Sequence, residues 1–274
     1  LSSIGKSLIG RSRKRYGRSR GMAENVVRLH EYRTDDYDGA LMIVGFPSVG
    51  LVSSIAANFI IRTSKLERVA GIMAEGFPPF TLVHEGVPSP PVRVYAGERK
   101  CNDGEPCQQI VAVAAEFMPR PELVHPLVSR LLDYAKAKGI ETVVALEGLN
   151  WPGAEEPKIF GVGSTKASRE MLKRYEVEEM KEGMVSGISG VMLFEGEARG
   201  VNVICLLGPA RTDFPDARGS AKLLEVVARM LPEIKIDPEP LFKEAEEIEK
   251  QIRTAMKSVD QPKKPTIEES IVYG

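Results

Sequence analysis

The chain is poor in the residues from which active sites and covalent frameworks are most often built. It has three cysteines, three histidines and one tryptophan in 274 residues. Three cysteines make neither a disulfide framework nor a zinc site. His30, His84 and His125 stand in no metal-ligand spacing and read as surface or packing residues. The glycine-rich Gly183–Gly190 stretch carries no G-K-[ST] and is not a phosphate loop. No apolar run is long enough to span a bilayer and no signal peptide is visible, so the expectation is a cytoplasmic protein without a membrane partner. A net charge of −1 gives no global attraction for nucleic acid.

What is present is ordinary globular composition, 43% hydrophobic, in a chain long enough for one large domain with appendages. The organising stretch is Leu41 to Ile61. Leu41–Val44 is a short apolar run, as expected of a strand buried on both faces. Gly45-Phe46-Pro47-Ser48-Val49-Gly50 breaks it. Leu51, Ile55, Asn58, Phe59 and Ile60 then recur near the helical period, with Ala56 and Ala57 between them. A dinucleotide turn needs a second glycine where the backbone meets pyrophosphate. Here that position is Pro47, which has a ring and no N–H. Glu75 could imitate a ribose-binding acid, but the turn reads as structural.

Further along, Val69–Ala74, Ile110–Ala115, Thr142–Leu146 and Val201–Leu207 read as core strands, with a short one over Lys158–Val162. Thr81–His84 and Val92–Tyr95 read as strands separated by a Pro88–Pro91 turn, which makes the sheet mixed. Pro121 opens a helix with Leu123, Leu127, Leu131, Leu132 and Ala135 inward, and Gly139 stops it. Ser168–Tyr175 is a helix with Met171 and Leu172 inward, and Asp216 N-caps a helix through Leu231. Ser164, Thr165 and Ser168 show no base partner. Gly183, Gly187 and Gly190 allow close backbone packing before Val191–Phe194. Alternating strands and helices imply a three-layer α/β/α sandwich with a mixed sheet.

Four units are expected: a basic arm over residues 1–21, an α/β core over 22–235, an amphipathic helix over 236–259 and a docking tail over 260–274. The arm carries Lys6, Arg11, Arg13, Lys14, Arg15, Arg18 and Arg20 without an acid. It reads as an upstream extension or dispensable arm before Met22, with nucleic-acid binding the lesser alternative. Leu241, Ala245, Ile248, Ile252, Ala255 and Val259 follow the alternating four-three spacing of a coiled-coil seam. That stripe either lies back on its own domain or pairs with the same helix of another subunit. Cys101 and Cys107 flank a turn-rich connection and are either bridged or free; Cys205 reads as a buried small hydrophobe.

Two sets of residues suggest function. Glu75, Glu116 and Glu147 each end a strand. If those strands are parallel neighbours, their carboxylates converge on the edge where α/β proteins bind ligands, as a Mg²⁺ site or acid/base pair would require. The other set is Val272, Tyr273 and Gly274, which read hydrophobic, tyrosine, any residue, carboxylate. Trp151 is a loop aromatic.

The order of several blocks carries a resemblance. Gly45–Gly50 between strand and helix, Phe77-Pro78-Pro79, Pro90–Tyr95, Gly187–Gly190 and Cys205–Gly208 together resemble the archaeal branch of the proteasome-assembly-chaperone family, over about Asp38 to Leu231. The resemblance implies a phosphorylase/hydrolase-like sandwich, a homo-oligomer, no cofactor and no catalysis. It also implies a proteasome α-ring partner, met by Val272, Tyr273 and the Gly274 carboxylate. The alternative is a Mg²⁺- or nucleotide-dependent ligase or hydrolase using the three glutamates.

Overall fold

The structure is a computed structural model that describes residues 27–101, 107–150, 158–212 and 215–243. The basic arm, Trp151, the stripe from Ala245 through Ile248 and Ile252, and the docking tail lie outside the described residues.

The strands are β1 (Val27–Glu31), β2 (Leu41–Gly45), β3 (Glu67–Ala74), β4 (Leu82–His84), β5 (Val87–Ser89), β6 (Val92–Ala96), β7 (Ile110–Ala115), β8 (Thr142–Leu149), β9 (Phe160–Gly163), β10 (Glu178–Glu179) and β11 (Asn202–Pro209). The helices are α1 (Val52–Thr63), α2 (Pro121–Ala137), α3 (Lys166–Arg174), α4 (Gly187–Arg199) and α5 (Ala217–Met230). Nine strands form one sheet in the order β1-β3-β6-β7-β2-β8-β11-β9-β10. Strands β7, β2, β8 and β11 are parallel; β6 is antiparallel to both β3 and β7. The central strands are buried on both faces, which is why they read as unbroken apolar runs. One hydrophobic core lies under α2 and α4, the other under α1, α3 and α5. The three-layer mixed sandwich is therefore present.

Local chemistry sets the element ends. Pro121 occupies the first turn of α2, and Gly139 follows its C-cap at φ 69°. Asp216 Oδ1 accepts the Gly219 N–H at 2.8 Å and caps α5. Thr165 and Ser168 cap α3 reciprocally, so these hydroxyls have structural work. Helix α1 packs on the sheet through Val52, Ser53, Ala56, Ala57, Phe59 and Ile60. The expected stripe was rotated: Leu51 and Asn58 are exposed. Small residues win the inward face because α1 sits so close to β2. A Cβ on Gly45 would meet the Ala57 Cβ and lie 2.6 Å from the Ser53 carbonyl. The Ser53 hydroxyl also donates to the Leu146 carbonyl at 2.5 Å, tying α1 to β8.

Two features differ from the expected pattern. Edge strand β1 was not anticipated; it pairs antiparallel with β3, and Lys138 at the end of α2 reaches its Glu31 at 2.7 Å. The proline-rich segment does not turn at Pro88–Pro91. Instead β4 and β5 form a separate hairpin, turning at Glu85 and Gly86, both with positive φ, the backbone a tight hairpin requires.

Cys101 and Cys107 are joined by a disulfide, with Cα atoms 4.2 Å apart. Lys100 and Gln108 exchange two backbone hydrogen bonds of 2.7 Å beneath it. Replacing both cysteines by serine should lower stability by about 2 kcal/mol, the loop-closure entropy of so short a loop. Urea unfolding with and without reductant checks this: the parent should lose that stability on reduction and the double variant should not respond.

Leu241, the first residue of the expected stripe, lies back on its own domain. A helical turn begins at Glu239, and Leu241 is 2% exposed within the core under α1 and α5. Leu241 is therefore covered by its own chain. Phe242 packs against the same core.

Candidate functional site

Glu75 and Glu116 directly follow β3 and β7, whereas Glu147, expected to end its strand, lies inside β8 two residues before its end, toward the same edge of the sheet. Strands β3, β7 and β8 run in the same direction, because β6 is antiparallel to both of its neighbours. They are not neighbours, however. Strand β6 separates β3 from β7, and β2 separates β7 from β8. At about 4.8 Å per strand, Glu116 is roughly 10 Å from either of the others, and Glu75 is roughly 19 Å from Glu147. Among the described residues no group of three histidine, cysteine, aspartate or glutamate side chains could hold a metal ion. The expected convergence does not occur, and each carboxylate has its own surroundings.

Glu75 is exposed at the end of β3. Glu116 grips Arg93, whose guanidinium is almost wholly buried, with Nη1 to Oε2 at 2.7 Å and a second, shorter bond from Nη2 to Oε1. Glu147 points toward the start of α4 and accepts the Ser189 hydroxyl at 2.8 Å. Burial pushes the Glu147 carboxyl up, against the opposing pull of Ser189 and the Gly148 N–H. Cys205 on β11 is fully buried beside this pair, and burial, reinforced by the Glu147 charge, pushes its thiol up. A thiol held protonated is a poor nucleophile. Glu147 thus anchors α4 to β8 as an ionisable group in a costly place.

That cost has a pH signature. The Glu147 carboxyl titrates at higher pH in the folded chain than in the unfolded one. In that window the folded state holds more protons, so this group's contribution to stability falls as pH rises through its folded pKa. Glu147→Gln keeps an acceptor for Ser189 and cannot ionise. It should raise the melting temperature at neutral pH, with the gain disappearing below the ordinary carboxylate range. Calorimetric melts across pH check this; a gain that grows with acidification contradicts it.

The Gly45–Gly50 turn is filled by protein groups. Gly50, at φ 62°, accepts the Asp216 N–H at 2.7 Å, and a Cβ there would lie 2.7 Å from the Arg211 carbonyl. Gly148 of β8 approaches the Val49 carbonyl so closely that only glycine fits. The histidines do not assemble: His30 stacks edge-on with Tyr32 at 5.1 Å, His84 lies on the exposed hairpin, and His125 lies 3.2 Å from Glu195. Sequence reasoning missed Arg93 and Ser189. A buried arginine alternates with apolar residues in Val92–Ala96 as a solvent-facing one would, so β6 gave no warning.

Comparison with known proteins agrees with this fold. Residues 42–256 match the PAC2 family. A curated relative, an uncharacterised protein of Methanocaldococcus jannaschii, is 30% identical over 218 residues, covering 80% of this chain and 86% of its own. Among solved structures, Pyrococcus furiosus PbaA, described as an archaeal homologue of a proteasome-assembly chaperone, is 30% identical with a TM-score of 0.73, covering 84% of this chain and 92% of its own. Pyrococcus furiosus PbaB, described as an archaeal proteasome activator, shares the fold with a TM-score of 0.73 at 23% identity, covering 85% of this chain and 99% of its own. Family match, identity and fold agree, and the chain belongs to the PAC2 family, as a homologue of the archaeal proteasome-assembly-chaperone relatives.

Proposed function

We propose that this protein is a non-enzymatic, ATP-independent proteasome assembly chaperone or activator homologue. It acts in the cytoplasm as a homo-oligomer and docks on the proteasome α-ring through Val272, Tyr273 and the carboxylate of Gly274. The observation that carries the proposal is a coincidence of two independent parts. The body belongs to the family of an archaeal proteasome-assembly-chaperone homologue, and a hydrophobic-Tyr-X triplet stands at residues 272–274. Such capture uses donors for the carboxylate and pockets for the side chains. Several tails on one oligomer multiply weak single contacts into useful avidity.

The rival enzyme reading loses its support where Glu75, Glu116 and Glu147 stand apart. Titration with Mg-ATP should show no saturable binding. Co-sedimentation of the purified protein with core particle, and separately with isolated α-rings, tests the proposal itself. Retention on either supports it; no retention at high micromolar concentration overturns it.

The proposed self-association runs through the core, through the terminal stripe of Leu241, Ala245, Ile248 and Ile252, or through both; Leu241 is already covered by its own chain. Ile248→Asp with Ile252→Asp would place charges on that stripe, an unfavourable burial if it is packed. Light scattering and melting should reveal a smaller assembly or a weaker fold. Unchanged behaviour in both would remove the stripe from the account.

A further inference from the structure

At the opposite edge of the sheet, where β2 and β7 begin and β6 ends, lies an open cleft of about 1020 Å³. That is at the upper end of the roughly 300–1,000 Å³ usual for small-molecule sites. Its floor is apolar. Leu66, Ala96, Ile110 and Ile234 line it, each less than a tenth exposed. Ala96 belongs to the core under α2 and α4, the other three to the core under α1 and α5, so the cleft sits where both layers run out.

The rim is charged, and its charges divide into two kinds. Arg33 is held by Asp35 and Glu67 at 2.8 and 2.5 Å, and Lys100 faces Glu98 at 3.4 Å. Lys65 and Lys235 also line the rim, and among the described residues neither has an ion-pair partner. One wall is braced. The Cys101–Cys107 disulfide closes its loop, the Glu233 N–H donates to Gln108 Oε1 at 3.0 Å, and Gln109 Nε2 donates to the Gly97 carbonyl at 2.8 Å. The cleft is preformed, which lowers the ordering cost of filling it.

We propose that this cleft binds a small amphipathic monoanion, its apolar body on the floor and its carboxylate between Lys65 and Lys235. Two free ammonium groups beside an apolar floor match one carboxylate on a hydrocarbon or apolar peptide. A multiply charged anion would meet Asp35, Glu67, Glu98 and Glu233 around the same rim and be repelled. The carboxylate can come from a free fatty acid or from the end of an apolar peptide.

Isothermal titration of the full chain separates these sources with two probes, decanoate below micelle formation and acetyl-Ile-Val-Tyr-Gly. The controls are decyltrimethylammonium and the peptide's C-terminal amide. At least one anionic probe should bind at submillimolar concentration, with its control at least tenfold weaker. Lys65→Glu with Lys235→Glu, both at exposed positions, should cost tenfold or more without moving the melting curve. Ala96→Phe should block the floor; if that variant unfolds, the lysine pair alone decides. The proposal is overturned if neither anion binds at millimolar concentration, if a control matches its anion, or if charge reversal leaves affinity unchanged. Because acetyl-Ile-Val-Tyr-Gly repeats residues 271–274, peptide binding would set the cleft in competition with α-ring docking, whereas decanoate binding alone would not; co-sedimentation reads docking separately.

Discussion

Glu116→Ala is expected to cost about 3 kcal/mol or more, among the largest single-residue effects on the stability of this chain. Arg93 lies on β6 with its side chain 5% exposed, and Glu116 answers it with both carboxylate oxygens. The remaining donors are weakly served. Nε reaches the Tyr95 hydroxyl at 3.0 Å, and Nη1 reaches the carbonyls of Pro90 and Pro91 only at 3.4 Å. An arginine cannot shed its proton, so removing Glu116 leaves a charge buried without its counterion. Breaking such a pair from one side typically costs roughly 3–5 kcal/mol, and the 34% exposure of Glu116 places this case at the lower end by admitting water. Arg93→Met removes the charge and keeps the length, and should cost much less. Urea unfolding of the two variants reads the contrast. A Glu116→Ala loss below about 1 kcal/mol would mean the guanidinium reaches solvent, and the account of β6 would fail.

The same pair shows what sequence can and cannot carry. Direction was legible: β3, β7 and β8 run the same way and carry Glu75, Glu116 and Glu147 toward one edge, although β8 continues past Glu147 to Leu149. Separation was not, because strand order is a tertiary choice. Inserting β6 between β3 and β7, and β2 between β7 and β8, spreads the carboxylates without altering any local pattern. Features fixed by local chemistry were readable, among them the Pro121 start, the Gly139 stop and the Asp216 cap. Strand β1 was not, since Val27–Glu31 offers only Val27 and Leu29 to the core and sits at an edge. The α1 face was misplaced because hydrophobicity favours Leu51 and Ile55, whereas close approach to Gly45 selects Ser53, Ala56 and Ala57. Proline clustering hid a turn that backbone sign places at Glu85 and Gly86.

Deleting Val272–Gly274 is expected to weaken binding to the proteasome core particle at least tenfold while leaving fold and assembly unchanged. Tyr273 offers a ring to bury and a hydroxyl to hydrogen-bond, and Val272 adds apolar area. In the proposed docking, the carboxylate at Gly274 would meet a cationic group of the partner as a charge-assisted contact. Tyr273→Ala should lose much of the same affinity. Extension beyond Gly274 keeps every side chain and moves only the carboxylate, so it isolates that contact.

Surface plasmon resonance on immobilised core particle, comparing the parent with the deletion, Tyr273→Ala and the extended chain, tests the central claim most directly. The account predicts saturable binding by the parent and a loss in all three variants, greatest for the deletion. Parent-like binding by all three would exclude tail docking, and no binding by the parent at high concentration would contradict the proteasome assignment itself.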